Sequence, residues 1–169
     1  FRGTQWTPDG NGYVFLAKGG TELKYYDIKT GKESVYIAAE DAILEAPKRA
    51  KRFMLKNFFW SPANTDDILV PKGNDLYLYK RSSKKLIRLT HDEKRERDPI
   101  FSPDGRKVAY LKDNNLFYVD IDSKKETQLT KQGTDKVLIG RFDWVYEEEF
   151  SIRTGFFWSP NSDRIAYFE

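Results

Sequence analysis

The sequence predicts an all-β fold that forms part of a β-propeller, and three observations predict it. One turn phrase occurs four times, a matching strand phrase follows it in three copies, and apolar helical periodicity is scarce. The turn phrase reads aromatic, hydroxyl, proline, then turn residues. Its copies are Trp6-Thr7-Pro8-Asp9-Gly10, Trp60-Ser61-Pro62-Ala63, Phe101-Ser102-Pro103-Asp104-Gly105 and Trp158-Ser159-Pro160-Asn161-Ser162. Proline presets the first turn angle, and Asp-Gly or Asn-Ser supplies the tight corner.

An apolar strand is expected after each copy: Tyr13 to Ala17, Ile68 to Val70, Val108 to Leu111 and Ile165 to Phe168. A second strand follows in the first three copies, as Glu22 to Ile28, Asp75 to Tyr79 and Asn115 to Ile121. Polar turns (Lys29 to Lys32, Arg81 to Lys85, Asp122 to Lys125) then lead to short last strands such as Lys85 to Thr90 and Glu126 to Thr130. The unit is therefore four antiparallel strands. Its prolines stand 54, 41 and 57 residues apart, near the ~40–50 of propeller blades. About three four-stranded antiparallel blades are expected, at roughly 1–38, 53–90 and 96–130, with part of a further blade at 137–169. The segments Ala38 to Lys56 and Lys131 to Gly140 read as loops, and Glu40 to Ala46 and the Glu147 region as a helical turn or two.

Composition agrees with this architecture. The chain has 10 Tyr, 12 Phe and 4 Trp, while 33% of its residues are charged, which suits short strands with one face buried and one wet. No cysteine is present, so disulfides and cysteine metal sites are excluded. A formal charge of +3 is too small to imply a nucleic-acid partner, and basic clusters such as Lys48-Arg49-Ala50-Lys51-Arg52 read as solvated loops. No apolar run approaches the ~20 residues of a membrane span, so no membrane contact is expected of this stretch. With Phe1 first and Met54 the single methionine, the chain reads as an excerpt of a longer one, since a propeller uses ~4–8 blades.

Catalytic machinery is not found in the sequence. No serine has a glycine two residues away, so no nucleophile elbow exists. The one histidine, His91, has no nucleophile and orienting acid beside it. Asp92, Glu93, Glu96 and Asp98 alternate with Lys and Arg, which argues against a calcium cage. No cofactor and no metal are expected, and no catalytic residue is assigned.

One acidic run carries the functional signal: Trp144-Val145-Tyr146-Glu147-Glu148-Glu149. Two readings follow from the residues alone. Three glutamates on a wet turn are each fully hydrated, or their mutual repulsion is relieved by a bound cation through charge-assisted hydrogen bonds. Successive side chains diverge by about 100° on a helix and 180° on a strand. Glu148 and Glu149 can therefore share a ligand only from a short or terminal helical turn, under which Trp144 and Tyr146 are expected to pack.

The string Asp143-Trp144-Val145-Tyr146-Glu147-Glu148-Glu149-Phe150, with Gly155-Phe156-Phe157-Trp158-Ser159-Pro160-Asn161 and Ile165-Ala166-Tyr167, resembles the propeller of the dipeptidyl peptidase IV family. These are prolyl-oligopeptidase-type serine exopeptidases. The resemblance implies an N-terminal propeller domain in which Glu148 and Glu149 grip the free α-amino group of a peptide substrate and Glu147 is structural. It also implies an α/β-hydrolase domain elsewhere in the same chain and favours a secreted, periplasmic or membrane-anchored location over a cytoplasmic one, while exposed blade edges make a homodimer an expected partner state. The family type adds an arginine from an earlier blade to hold the substrate carbonyl. The segment Ile68 to Tyr79, where it was sought, contains none, and Lys72 there reads as a solvated turn lysine. A non-catalytic propeller scaffold and a peptide sensor without its serine are the alternative functions.

Overall fold

Each proline phrase closes a reverse turn between the first two strands of a sheet in the computed structural model, which describes residues 3–44 and 54–169. In the first copy Gln5–Trp6 (β1) turns into Gly12–Ala17 (β2). Thr7 N–H donates to Gly12 O (3.0 Å), and the Thr7 hydroxyl donates to Asp9 Oδ1 (2.6 Å). In the third, Ser102 and Asp104 repeat this pattern at 2.8 and 2.6 Å. Gly10 and Gly105 sit at φ +70°, the left-handed region that glycine enters without steric cost. The fourth copy places Ser162 there instead, at φ +63°, and its hydroxyl accepts a hydrogen bond from Asp104 N–H at 3.0 Å.

The chain divides into two compact units, residues 1–89 and 90–169. In the first unit β1 and β2 join Glu22–Asp27 (β3) and Glu33–Ala38 (β4) in the order β1-β2-β3-β4. A five-stranded sheet follows, made of Ile43–Leu44 (β5), Phe59–Trp60 (β6), Asp67–Lys72 (β7), Asp75–Lys80 (β8) and Lys85–Arg88 (β9). Val14, Leu23 and Ile37 pack with Ile68, Val70, Tyr79 and Leu86 in its core.

Part of the stretch expected as loop or helix is therefore strand. Ala39–Asp41 makes one 3-10 turn and β5 then runs parallel to β9. Ile43 N–H donates to Lys84 O (2.7 Å), and Asp41 pairs with Lys84 (3.0 Å). Residues 45–53 of that stretch, with Ala46 and the basic cluster at 48–52, lie outside the described residues.

In the second unit Arg97–Phe101 (β10), Lys107–Lys112 (β11), Asn115–Asp120 (β12) and Glu126–Gln128 (β13) form a four-stranded antiparallel sheet. Phe156–Trp158 (β14) pairs with Ile165–Tyr167 (β15) in a two-stranded one. Ala109, Leu111, Leu116, Ile139 and Phe156 make up the core. The expectation of alternating dry and wet positions holds in part of β2 and in β10. The middle strands β8, β11 and β12 are buried along most of their length, because both of their faces are covered.

Burial reaches two charged residues here, Glu96, which accepts from the Thr90 hydroxyl at 2.6 Å, and Lys112. Lys112 Nζ lies 2.7 Å from Asp92 and 2.9 Å from Glu126, so two carboxylates compensate its desolvation. Within the acidic stretch after His91, Asp92 and Glu96 therefore serve as structural partners, of Lys112 and Thr90. No helix among the described residues is long and apolar enough to cross a membrane.

Candidate functional site

The acidic run is a helix on a loop whose two ends are fastened together. Trp144–Glu149 (α1) is six residues long. Asp143 caps it, Oδ1 accepting from Val145 N–H (3.1 Å) and Tyr146 N–H (3.2 Å), which satisfies two of the donors that a helix start leaves open. Beyond it Ser151 takes φ +55° and Ile152 N–H returns to Tyr146 O at 3.1 Å. At the loop base Arg141 bridges Thr154, and Gly155 N–H donates to Gly140 O at 2.8 Å. A Cβ on Gly155 would stand 3.0 Å from the Gly140 carbonyl carbon, a tight contact that the backbone would have to relieve by a few tenths of an ångström.

Tyr146 and the C-cap Phe150, four residues apart, lie on one side of α1, and Phe142, ahead of the cap and outside the helix, packs against Tyr146. Their rings stack in sequence at 5.2 and 5.7 Å, and Phe168 meets Phe142 at 5.1 Å. Tyr146 thus has partners, although it is 46% exposed. Trp144 does not pack under the turn, contrary to expectation: it is 70% exposed. Two positions from Tyr146, it falls on the opposite side of a helix too short to present a second packed face.

The three glutamates differ in their surroundings. Glu147 is half-buried and pairs with Arg141, Nη2 to Oε1 at 3.3 Å. Glu148 and Glu149 are exposed on the last turn and make no ion pair among the described residues. They sit at the carbonyl end of α1, the unfavourable end for anions. Neither lines the pockets beside the helix. One of these is of mixed character, with Val137, Phe142, Tyr146, Ile152 and Phe168 beside the charged Lys136, Arg141, Asp143 and Glu169. The other is cationic, with Arg95, Arg97, Lys112 and Arg141 in its wall.

Sequence reasoning missed this arginine cluster because it searched a different hairpin. Lys72, singled out there, is the last residue of β7, and its Nζ is buried with no hydrogen-bond partner. Desolvation holds its pKa below the ordinary lysine value, so it is not a solvated turn lysine. The signal that could have located the cluster was the alternation Arg95-Glu96-Arg97-Asp98 entering a strand.

Asp98 belongs to the same neighbourhood. It occupies φ +50° in β10, where the register with β11 shifts between Arg97 and Ile100; Asp tolerates this conformation better than most residues. Burial pushes its carboxyl up from the ordinary 3.8; Arg141 opposes that shift, Glu147 adds to it, and Arg97 and Arg153 lower it. A folded-state pKa above the unfolded one gives stability that is complete below the unfolded value and is lost as pH rises through the folded one. Asp98→Asn, which keeps the left-handed conformation, is therefore expected to stabilise the chain at neutral pH. Denaturant melts should show that advantage vanishing below the ordinary value of 3.8.

Among the described residues no group of three or more His, Asp or Glu could hold a metal ion. The blade-like sheets and the capped acidic loop define a β-propeller-type domain with an anionic helix end, an all-β partial propeller. A profile of the dipeptidyl peptidase IV N-terminal region matches residues 73–169, more than half of the chain, and the chain belongs to that family. Among its relatives, a probable dipeptidyl-aminopeptidase B of Podospora anserina is 44% identical over 68 residues, which is 40% of this chain and 7% of that protein. Dipeptidyl aminopeptidase B of Saccharomyces cerevisiae is 39% identical over 70 residues, 40% of this chain and 9% of that protein. The crystal structure of Porphyromonas gingivalis dipeptidyl peptidase 4 superposes with a TM-score of 0.78 at 30% identity, covering 95% of this chain and 24% of that one. The chain thus spans about a quarter or less of the relatives it matches.

Proposed function

We propose that this chain is the substrate-gating and amine-recognition part of a dipeptidyl-peptidase-IV-like serine exopeptidase that releases short peptides from free N-termini. One observation carries the reading. Arg141 occupies Glu147, which leaves Glu148 and Glu149 as two adjacent, uncommitted carboxylates on a helix that its cap and aromatic stack hold in place. An ammonium has three donors and no acceptor, so two carboxylates suit it.

The chemistry is that of a ruler. An amine held at a fixed distance from a nucleophile lets ~3.3–3.6 Å per extended residue decide how many residues are removed. The nucleophile belongs to an α/β-hydrolase domain in the rest of a longer chain, a Ser-His-Asp triad of the usual logic. Arg95 and Arg97, in the cationic pocket, are the candidates to hold the substrate's backbone carbonyl. Residues 1–169 act as one propeller portion, with a peptide substrate, the hydrolase domain and a second copy as partners, in a secreted, periplasmic or membrane-anchored setting.

The test uses the full-length protein and two chromogenic dipeptidyl substrates that differ only in N-acetylation. A desolvated charge pairing worth roughly 2–5 kcal/mol gives a free-amine preference of ~30-fold or more, with ~100-fold inside the range. Equal rates on the two substrates overturn the amine anchor.

A further inference from the structure

The amine-binding end of α1 depends on a residue outside the helix. Arg141 enters the loop at its fastened base, where it bridges Thr154, and its guanidinium reaches Glu147 at 3.3 Å. Both side chains are largely withdrawn from solvent, Arg141 at 23% and Glu147 at 30% exposure, so the pairing is screened less than an open surface ion pair. It crosses from the loop base to the middle of α1. The helix has fewer than two turns and no buried residue, so its own hydrogen bonds hold it only marginally. Its orientation therefore rests on three external ties: the Asp143 cap, the Phe142–Tyr146–Phe150 stack and Arg141. Of these, Arg141 alone acts on the glutamate run itself.

The field of Arg141 also reaches Asp98 on β10, as do those of Arg97 and Arg153. A lysine could supply the charge but not the planar fork that reaches more than one acceptor.

We propose that Arg141 is a positioning residue for the substrate amine: by holding Glu147 it sets the rotation of α1 about its axis, and so the direction in which Glu148 and Glu149 project. This rests on the amine-anchor reading above. Arg141 need not touch substrate. A helix turn rotated by even part of the ~100° between successive residues would carry one of the two carboxylates away from a shared cation.

The experiment measures, in the full-length protein, the ratio of kcat/KM for a free-amine dipeptidyl substrate to that for its N-acetylated twin. A loss of folded enzyme lowers both rates alike and leaves the ratio untouched, so the ratio isolates positioning. Arg141→Met is expected to reduce it about tenfold, mainly through KM of the free-amine substrate, and Arg141→Lys to recover part of that loss. Glu147→Gln, isosteric and half-buried, should reduce it equally and supplies the reading if Arg141→Met does not fold. Combining the two substitutions should be no worse than either alone, because both remove one pairing. A ratio unchanged in Arg141→Met or Glu147→Gln, or losses that multiply in the double variant, overturns the proposal. If Glu148→Gln and Glu149→Gln also leave the ratio unchanged, the amine anchor itself is wrong; if they abolish it while Glu147→Gln does not, only the role of Arg141 falls.

Discussion

Replacing Glu148 and Glu149 together with glutamine is expected to bring the free-amine and N-acetylated substrates to within about threefold of each other. Glutamine keeps the length of the side chain and its hydrogen-bonding oxygen but removes the charge, so the change isolates electrostatics from shape. Magnitude then discriminates between two environments. A solvent-exposed ion pair contributes ~0.2–1 kcal/mol, at most about fivefold in binding. A desolvated pair contributes roughly 2–5 kcal/mol. In this chain both carboxylates are exposed. A preference near ~100-fold therefore requires the remainder of the longer protein to cover the end of α1 and exclude water. A total effect below about fivefold means that the two glutamates stay as wet in the complete protein as they are here, and the anchor is lost. Steady-state kinetics on the two substrates, at low and high salt, measures this directly.

Phe156→Ala is expected to destabilise the second unit by about 3–5 kcal/mol, the cost of deleting a buried aromatic and leaving its cavity. Phe156 is fully buried, packed with Ala109, Leu111, Leu116 and Ile139. It also follows Gly155 directly, so the cavity would open at the base of the acidic loop. Its neighbour Phe157 points to the other face of the strand and is 56% exposed. Phe157→Ala should fall within about 0.5 kcal/mol of the parent. Since whole domains are stable by only ~5–15 kcal/mol, the first substitution shifts the denaturant midpoint visibly and the second does not. Equal effects would mean that the strand's two faces are misassigned.

How much of this was legible beforehand follows the range of the interactions involved. The four proline turns are local: an aromatic, a hydroxyl and a proline mark each one, three of them with a left-handed residue (Gly10, Gly105 and Ser162), and all four occur where the phrase stands. Strand positions followed, because tight turns of two to five residues leave little freedom between them. The helical form of the acidic run was legible in part. Asp143 caps it, and a short helix had been expected there from the need to bring Glu148 and Glu149 near each other. The extent of burial was not legible. Period-two patterning assigns one dry face, whereas β8, β11 and β12 are covered on both, and only the stacking of sheets decides that.

By itself, then, the order of amino acids determined the repeat, the all-β class, the family string at residues 143–150 and the absence of an elbow serine. Each depends on neighbours a few residues apart, and turn chemistry needs nothing more. Tertiary structure decided which of the three glutamates is occupied, since Arg141 reaches Glu147 and leaves the other two open. It likewise exposed Trp144, withdrew the Lys72 amine from water, added β5 to β9 across some forty residues and gathered Arg95, Arg97 and Arg141 around one pocket. Those outcomes turn on which side of a strand or helix meets another element, and only the packed chain sets that.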